Sequence, residues 1–231
     1  MEFLAVLVIV SILLAVLLPT ISRSRESGQR LACLNNVRQL ALGSILYSEE
    51  DIEGSYVGSK YGENDLNWLY FKQVPKLSAF LCPSTRNSIR PESRGKNLHQ
   101  EEYLVDLADT ALYTDTPGVS YRVLPYFGRK AQGVATAKTQ LSVPTYTHAN
   151  STFGMKGWMP GPSQVWLYVD ADKNRPGVKG SLPNWPDNGD NHGVVGGNVA
   201  FCDGHAEFIR QREYFYRFEL SQDEGLARPN P

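Results

Sequence analysis

Three cysteines in 231 residues are too few for a disulfide scaffold, although they allow one bridge with one thiol left over. Charge of one sign is also missing. Lys+Arg number 23 and Asp+Glu 24, so the chain lacks the basic excess that nucleic-acid binders carry. A hydrophobic share of 42% against 20% charged excludes wholesale disorder. Nucleotide and hydrolase motifs are absent as well: there is no phosphate loop, no Gly-x-Ser-x-Gly elbow, no HExxH and no CxxC. These absences point away from an enzyme. Glycine (20) and proline (14) are plentiful and fall mostly after residue 50, which favours a loop-rich, β-containing body over a helical bundle.

One long apolar run dominates the N-terminus. Phe3 to Leu18 read FLAVLVIVSILLAVLL, sixteen positions without a charge and with Ser11 as the only polar residue. A helix of that length spans roughly 24 Å, slightly short of the ~30 Å hydrocarbon core of a bilayer. A signal-peptide core would want a basic segment before it and a small-residue cleavage site after it. Met1-Glu2 and Pro19-Thr20-Ile21 stand there instead. A buried core helix apolar all round would need a larger protein to cover it. The membrane-inserted helix is therefore the favoured reading. Glu2 at its edge either reaches headgroup water or meets a positive partner in another copy of the chain.

Beyond Pro19 the pattern becomes amphipathic. Cys33, Val37, Leu40, Ser44 and Tyr47 recur in steps of four and three, flanked by Leu34, Ala41 and Ile45. Arg23, Arg25, Glu26, Arg30 and Arg38 are expected on the opposite face. One helix is thus predicted from the apolar run to about Ser48, kinked or locally melted at Pro19, with Gly28 a second soft point. Glu49, Glu50 and Asp51, unfavourable at a helix C-terminus, predict cationic partners elsewhere.

These features together resemble a type IV pilin-like protein: a glutamate near the start of an apolar helix, a proline about one membrane depth later, then RLACLNNVRQLALGSILYSEED. More narrowly, Cys33-Leu34-Asn35-Asn36-Val37-Arg38-Gln39-Leu40, Cys82-Pro83-Ser84, and His192 through Asp203-Gly204-His205 resemble the prepilin-type proteins with a C-terminal H-X9-DG segment. Ten residues separate His192 from Asp203 here, one more than that pattern has. The resemblance covers both ends of the chain and hardly touches the middle. It implies a pilin-like α+β fold, with residues 1–50 as the long helix and 51–231 as a β-rich head. It also implies an extracellular filament at the cell surface, built by packing of the apolar helices, with Glu2, Phe3, Val6 and Pro19 at the subunit interface. The partners would be copies of the chain, an assembly platform, the inner membrane before assembly, and a prepilin peptidase that methylates the new N-terminus. About three residues ahead of Met1 and a basic leader belong to that pattern, so the sequence reads as a truncated mature subunit. A secretion pseudopilin, or a membrane-anchored ectodomain that binds metal or glycan, are the competing expectations.

In the head, Ser163–Val169 ending at Asp170, Asn198–Cys202 and His205–Ile209 read as three strands of one antiparallel sheet packed on the amphipathic helix. Asp203-Gly204 predicts a tight hairpin with a type I′ turn. Segments 85–100 and 128–160 read as loops.

Cys33 and Cys82 are candidates for a bridge enclosing about 50 residues, worth roughly 3–4 kcal/mol in the loop-entropy model. Two buried thiols are the alternative, and Cys202 reads as a small core residue. Asp170, Asp172 and Asn174 have the alternating oxygen spacing of a calcium-loop start without the rest of the motif, so turn chemistry competes with calcium. His192, Asp203 and His205 are a possible transition-metal set, against a turn aspartate and a structural histidine. His99 and His148 sit in predicted loops without evident partners. The aromatic clusters Trp68, Tyr70, Phe71 and Tyr214, Phe215, Tyr216 suggest core or interface, and Asn150-Ser151-Thr152 is a glycosylation sequon.

Overall fold

The computed structural model describes residues 2–59, 64–96, 100–111, 115–128, 135–171 and 185–226; of the first ten side chains it describes only that of Val6. The fold is α+β. Helix α1 runs from Glu2 to Glu50 without interruption. Pro19 costs it one backbone donor but does not end it, so of the kink or local melting expected there the melting is absent.

From Gln29 onward α1 joins the head. Cys33, Val37, Leu40, Ala41 and Ser44 are buried along one stripe, as the periodicity predicts. At Gly43 the chain passes so close that an added Cβ would sit 2.8 Å from Val74 Cγ2. The helix ends at an Asx cap: Asp51 Oδ2 accepts from the amides of Glu53 and Ser55 at 3.1 and 2.9 Å. Glu50 pairs with Lys72, a cationic partner of the kind its position called for.

The central sheet is four-stranded and antiparallel, in the order β3 (Tyr121–Val123), β6 (Trp166–Asp170), β7 (Gly196–Phe201), β8 (Ala206–Arg210). It contains the three strands expected from sequence and adds β3. Short strands fill parts of the segments read as loops: β1 (Arg94–Lys96) pairs with β2 (Glu102–Leu104), and β4 (Tyr126–Phe127) with β5 (Thr136–Ala137). A single helical turn, α2 (Ser142–Thr145), follows β5.

Both faces of the sheet are covered, by α1 on one side and by α3 (Gln211–Gln222) on the other. Leu167, Tyr168 and Ala200 pack toward α1, whereas Trp166, Val169, Val199 and Phe201 pack with Tyr214 and Phe218 of α3. The register shift between Trp166 and Tyr168 puts two consecutive residues on the α1 side, a β-bulge that breaks the alternation of the strand.

The β7–β8 connection corrects the type I′ expectation. Gly204 N donates to Phe201 O (3.0 Å), Phe201 N donates to His205 O (2.9 Å), and only Gly204 has positive φ, +86°. This is a three-residue loop with a glycine bulge, which needs one left-handed residue rather than two. Its tip abuts α1, since a Cβ on Gly204 would lie 2.9 Å from Leu42 Cδ2.

Candidate functional site

The most unusual surface is the first half of α1. Residues 11–28 are exposed all round. Val6, Ile12, Leu13, Leu14, Val16, Leu17, Leu18 and Ile21 are between 50% and 65% exposed, close to the most a helical side chain allows in isolation. Two of the hydroxyls on this surface bond back to the helix, Thr20 Oγ1 to Val16 O and Ser22 Oγ to Pro19 O, both at 3.0 Å. The rod therefore presents mainly methyl groups from Ile12 to Ile21 and turns polar over residues 22–28, where Arg23, Arg25 and Glu26 are exposed. Among the described residues no helix is long and apolar enough to cross a membrane. Val6 and Pro19 lie on this exposed rod; Glu2 and Phe3 belong to the helix, but their side chains lie outside the described residues.

The rod is rooted in the head by a row of clamps. Cys33 and Cys82 are joined by a disulfide with Cα atoms 5.0 Å apart. Gln29 Nε2 donates to Pro83 O (3.1 Å), and Asn36 Nδ2 to Leu81 O (2.8 Å). Farther along, Ser44 and Tyr168 share a buried hydroxyl–hydroxyl bond of 2.8 Å. Arg30, expected on the outer face, instead lies half-buried with its guanidinium 4.3 Å from the centroid of the Phe208 ring. A cation over an aromatic face, with its stem along apolar surface, explains the departure.

Beside the bridge sits a buried polar network at the end of β6. Asp170 Oδ2 accepts from Asn198 N (2.6 Å) and Asn198 Nδ2 (3.1 Å), and Oδ1 accepts from Asn191 Nδ2 (3.2 Å). Burial pushes the Asp170 carboxyl up, against the His192 ring and these donors, which pull it down. His192 Nε2 accepts from Asn198 Nδ2 at 2.8 Å, which leaves the ring proton on Nδ1, facing Ser84 Oγ at 3.4 Å. Burial holds the His192 pKa below its usual value, consistent with a neutral ring. Cys82 Sγ lies 3.6 Å from the same Nε2.

This geometry revises several sequence expectations. Asp170 is occupied with asparagine donors, and Asp172 and Asn174 lie outside the described residues, as does His99. Among the described residues His192, Asp203 and His205 do not form a metal-ligand group. Between His192 and Asp203 runs β7, six residues of extended chain covering roughly 20 Å, so motif neighbours in sequence sit at opposite ends of a strand. Asp203 and His205 do meet at the hairpin tip, where Nδ1 is 2.5 Å from Oδ1 and the ring stacks on Phe201. His148, expected in a loop without a partner, is buried between the Leu220 carbonyl (2.7 Å) and Asp223 (3.3 Å). The sequon is engaged too: Asn150 Nδ2 donates to Asp223 O at 2.7 Å.

Sequence reasoning missed Lys138. It is fully buried, its Nζ donating to Trp166 O (2.7 Å) and Gln222 Oε1 (3.1 Å), and burial pulls its pKa down to about 7. Only a two-residue strand precedes it, too little pattern to mark an inward-facing lysine.

Comparison with protein-family models, with curated proteins and with solved structures gives no match.

Proposed function

We propose that this chain is a structural subunit of an extracellular type IV pilus-like filament, assembled by packing the apolar half of α1 against the same segment of other copies. The observation that carries this reading is the contrast within one helix. From Gln29 onward α1 completes the core of its own head, while residues 11–28 are all exposed and the stretch from Ile12 to Ile21 presents leucine, isoleucine and valine all round.

Burying a Leu, Ile or Val side chain is worth about 1.5–3 kcal/mol, so covering the half-exposed faces of the eight large apolar residues named above is worth on the order of 10 kcal/mol per subunit. A membrane supplies that burial before assembly and a helix bundle supplies it afterwards. Because the two environments are similarly apolar, packing and polar pairing decide between them. Glu2 fits that scheme as the group whose pairing with a neighbouring copy favours the bundle. Identical head-to-tail contacts that do not close a ring generate a helical filament, with the heads as its outer coat.

The test is imaging of purified cell-surface fibres by cryo-EM, together with Leu14→Lys and Leu17→Lys variants. Long fibres with a core of α1 segments, lost in both variants while the head keeps its fold, are the expected result. Short non-extruded stalks would indicate a secretion pseudopilin. Normal function with any apolar helix in place of residues 3–18 would indicate a tethered ectodomain and end the filament reading.

A further inference from the structure

Cys33, Cys82 and His192 come from three separate parts of the fold: the buried stripe of α1, the loop after residue 81, and the start of the segment leading into β7. Their sulfur and nitrogen atoms all lie within 4.8 Å of one another. Cys33 and Cys82 are fully buried, and the His192 side chain is 2% exposed. We propose that these three residues are also a metal site: with the bridge reduced, they bind one thiophilic d10 ion, of which zinc is the type case.

The geometry supports the assignment. With Zn–S of about 2.3 Å and Zn–N of about 2.05 Å, a tetrahedral centre sets a sulfur-to-nitrogen edge of roughly 3.6 Å. Cys82 Sγ and His192 Nε2 stand 3.6 Å apart. The ring is in the tautomer that ligation requires, with the proton on Nδ1 toward Ser84 Oγ and Nε2 as the acceptor nitrogen. An outer-shell oxygen on the far ring nitrogen is the usual support of a metal-bound histidine. The charged groups facing the ring are the acids Asp170 and Glu26 and the base Arg30, a small acidic excess, and the two thiolates add the two negative charges that offset a divalent ion. The Asn198 Nδ2 bond to Nε2 is the contact an ion would displace, and Asn198 keeps Asp170 as its acceptor at 3.1 Å.

The chemistry closes without a hidden reactant. A dithiol reductant gives two electrons and two protons to the Cys33–Cys82 bond and leaves as its own cyclic disulfide. The ion then forms two sulfur bonds, and the two thiol protons go to solvent. Bridge and ion exclude each other, because the lone pairs that bind the metal belong to thiolates.

The experiment uses the full chain in detergent micelles, reduced with a phosphine, freed of reductant and titrated with Cd2+ and Zn2+ against a chromophoric chelator. One ion per reduced chain is expected, with a cadmium–thiolate absorption band, and none on the oxidised chain. His192→Ala is expected to weaken binding by more than the roughly 10–100-fold that loss of an outer-shell partner costs. Cys82→Ser is expected to abolish the band. Near-UV circular dichroism on each sample reports whether the head is folded, and His192→Gln serves as a second variant should alanine disturb packing. A folded reduced chain that takes no ion overturns the proposal. So does affinity unchanged by both histidine variants, or a reduced chain that has lost its near-UV signal and regains none of it with metal.

Discussion

Removing the Cys33–Cys82 bridge is the perturbation whose cost can be worked most directly from the structure. The two residues are 49 apart in sequence. In the chain-entropy model a loop of that size confines the unfolded ensemble by about 4 kcal/mol at 25 °C. Reduction removes that confinement without deleting an atom from the core. Replacing both cysteines by alanine also empties two buried positions, adding about 1 kcal/mol for each methyl-sized group lost. The clamps at Gln29–Pro83 and Asn36–Leu81 survive either change and keep the native geometry from drifting. The expected result is a head less stable by about 3–5 kcal/mol on reduction, and by somewhat more in the double alanine variant. Urea unfolding of the full chain in micelles, followed by tryptophan fluorescence, reads this as a lower midpoint. The slope should rise slightly, since the unfolded reduced chain is more expanded. Three free thiols in the unreduced protein by mass spectrometry would refute the reasoning at its root. A stability loss near zero on verified reduction would refute the loop-entropy account.

Gly196→Ala should be strongly destabilising, because at φ +151° its Cβ would lie 2.1 Å from the backbone oxygen of Ile209; a thermal melt unchanged from wild type would show that the β7–β8 register can shift to accommodate it. Lys138 has a folded pKa near 7 against 10.5 unfolded, so the unfolded chain holds more protons between those values and stability should rise with pH across that window. Lys138→Met should remove that alkaline rise, and an identical pH profile in the variant would assign it to another group. On the filament reading, Glu2→Ala and Glu2→Leu should leave the subunit in the membrane but impair assembly, as read by fibre yield; normal yield would take Glu2 out of the proposed interface.

The parts of the fold legible in the sequence were those set by local periodicity. The stripe from Cys33 to Ser44 was visible because a helix packed on one sheet face must repeat apolar residues every three to four positions. The β7–β8 hairpin was visible because Asp203-Gly204 lies between two runs of strand formers, although the turn type was not: I′ and bulged loops share the same glycine. Helix α3 escaped notice. Its inward residues Tyr214, Phe215 and Phe218 are interleaved with Arg212, Glu213 and Arg217, and aromatic residues favour strands as readily as helices. Strands β1 to β5 are two or three residues long, too short for an alternating pattern. The neighbours of His192 were beyond reach for a different reason. Cys82 lies 110 residues away and Asp170 twenty-two, and only the sheet topology brings them to one place.

That topology also bears on how a filament subunit would carry load. On the filament reading, tension enters a head through α1, because residues 11–28 are exposed and the helix is buried against the head only farther along. The attachments that receive it are spread along the helix: Gln29 to Pro83, Cys33 to Cys82, Asn36 to Leu81, Ser44 to Tyr168. A pull along the axis loads them together in shear, so no single hydrogen bond must fail first. The covalent link sits near the entry point, where displacement of the helix against the head would begin. Ser44 and Tyr168 sit two turns or more further in, on the central strand β6, where their bond is buried and shielded from water. A covalent restraint at the mouth and a buried hydroxyl pair at depth resist both slippage and rotation of α1. Rotation matters as much as slippage, since turning the helix would bring Leu31, Leu42 and Leu46 inward and expose the stripe that holds the head together.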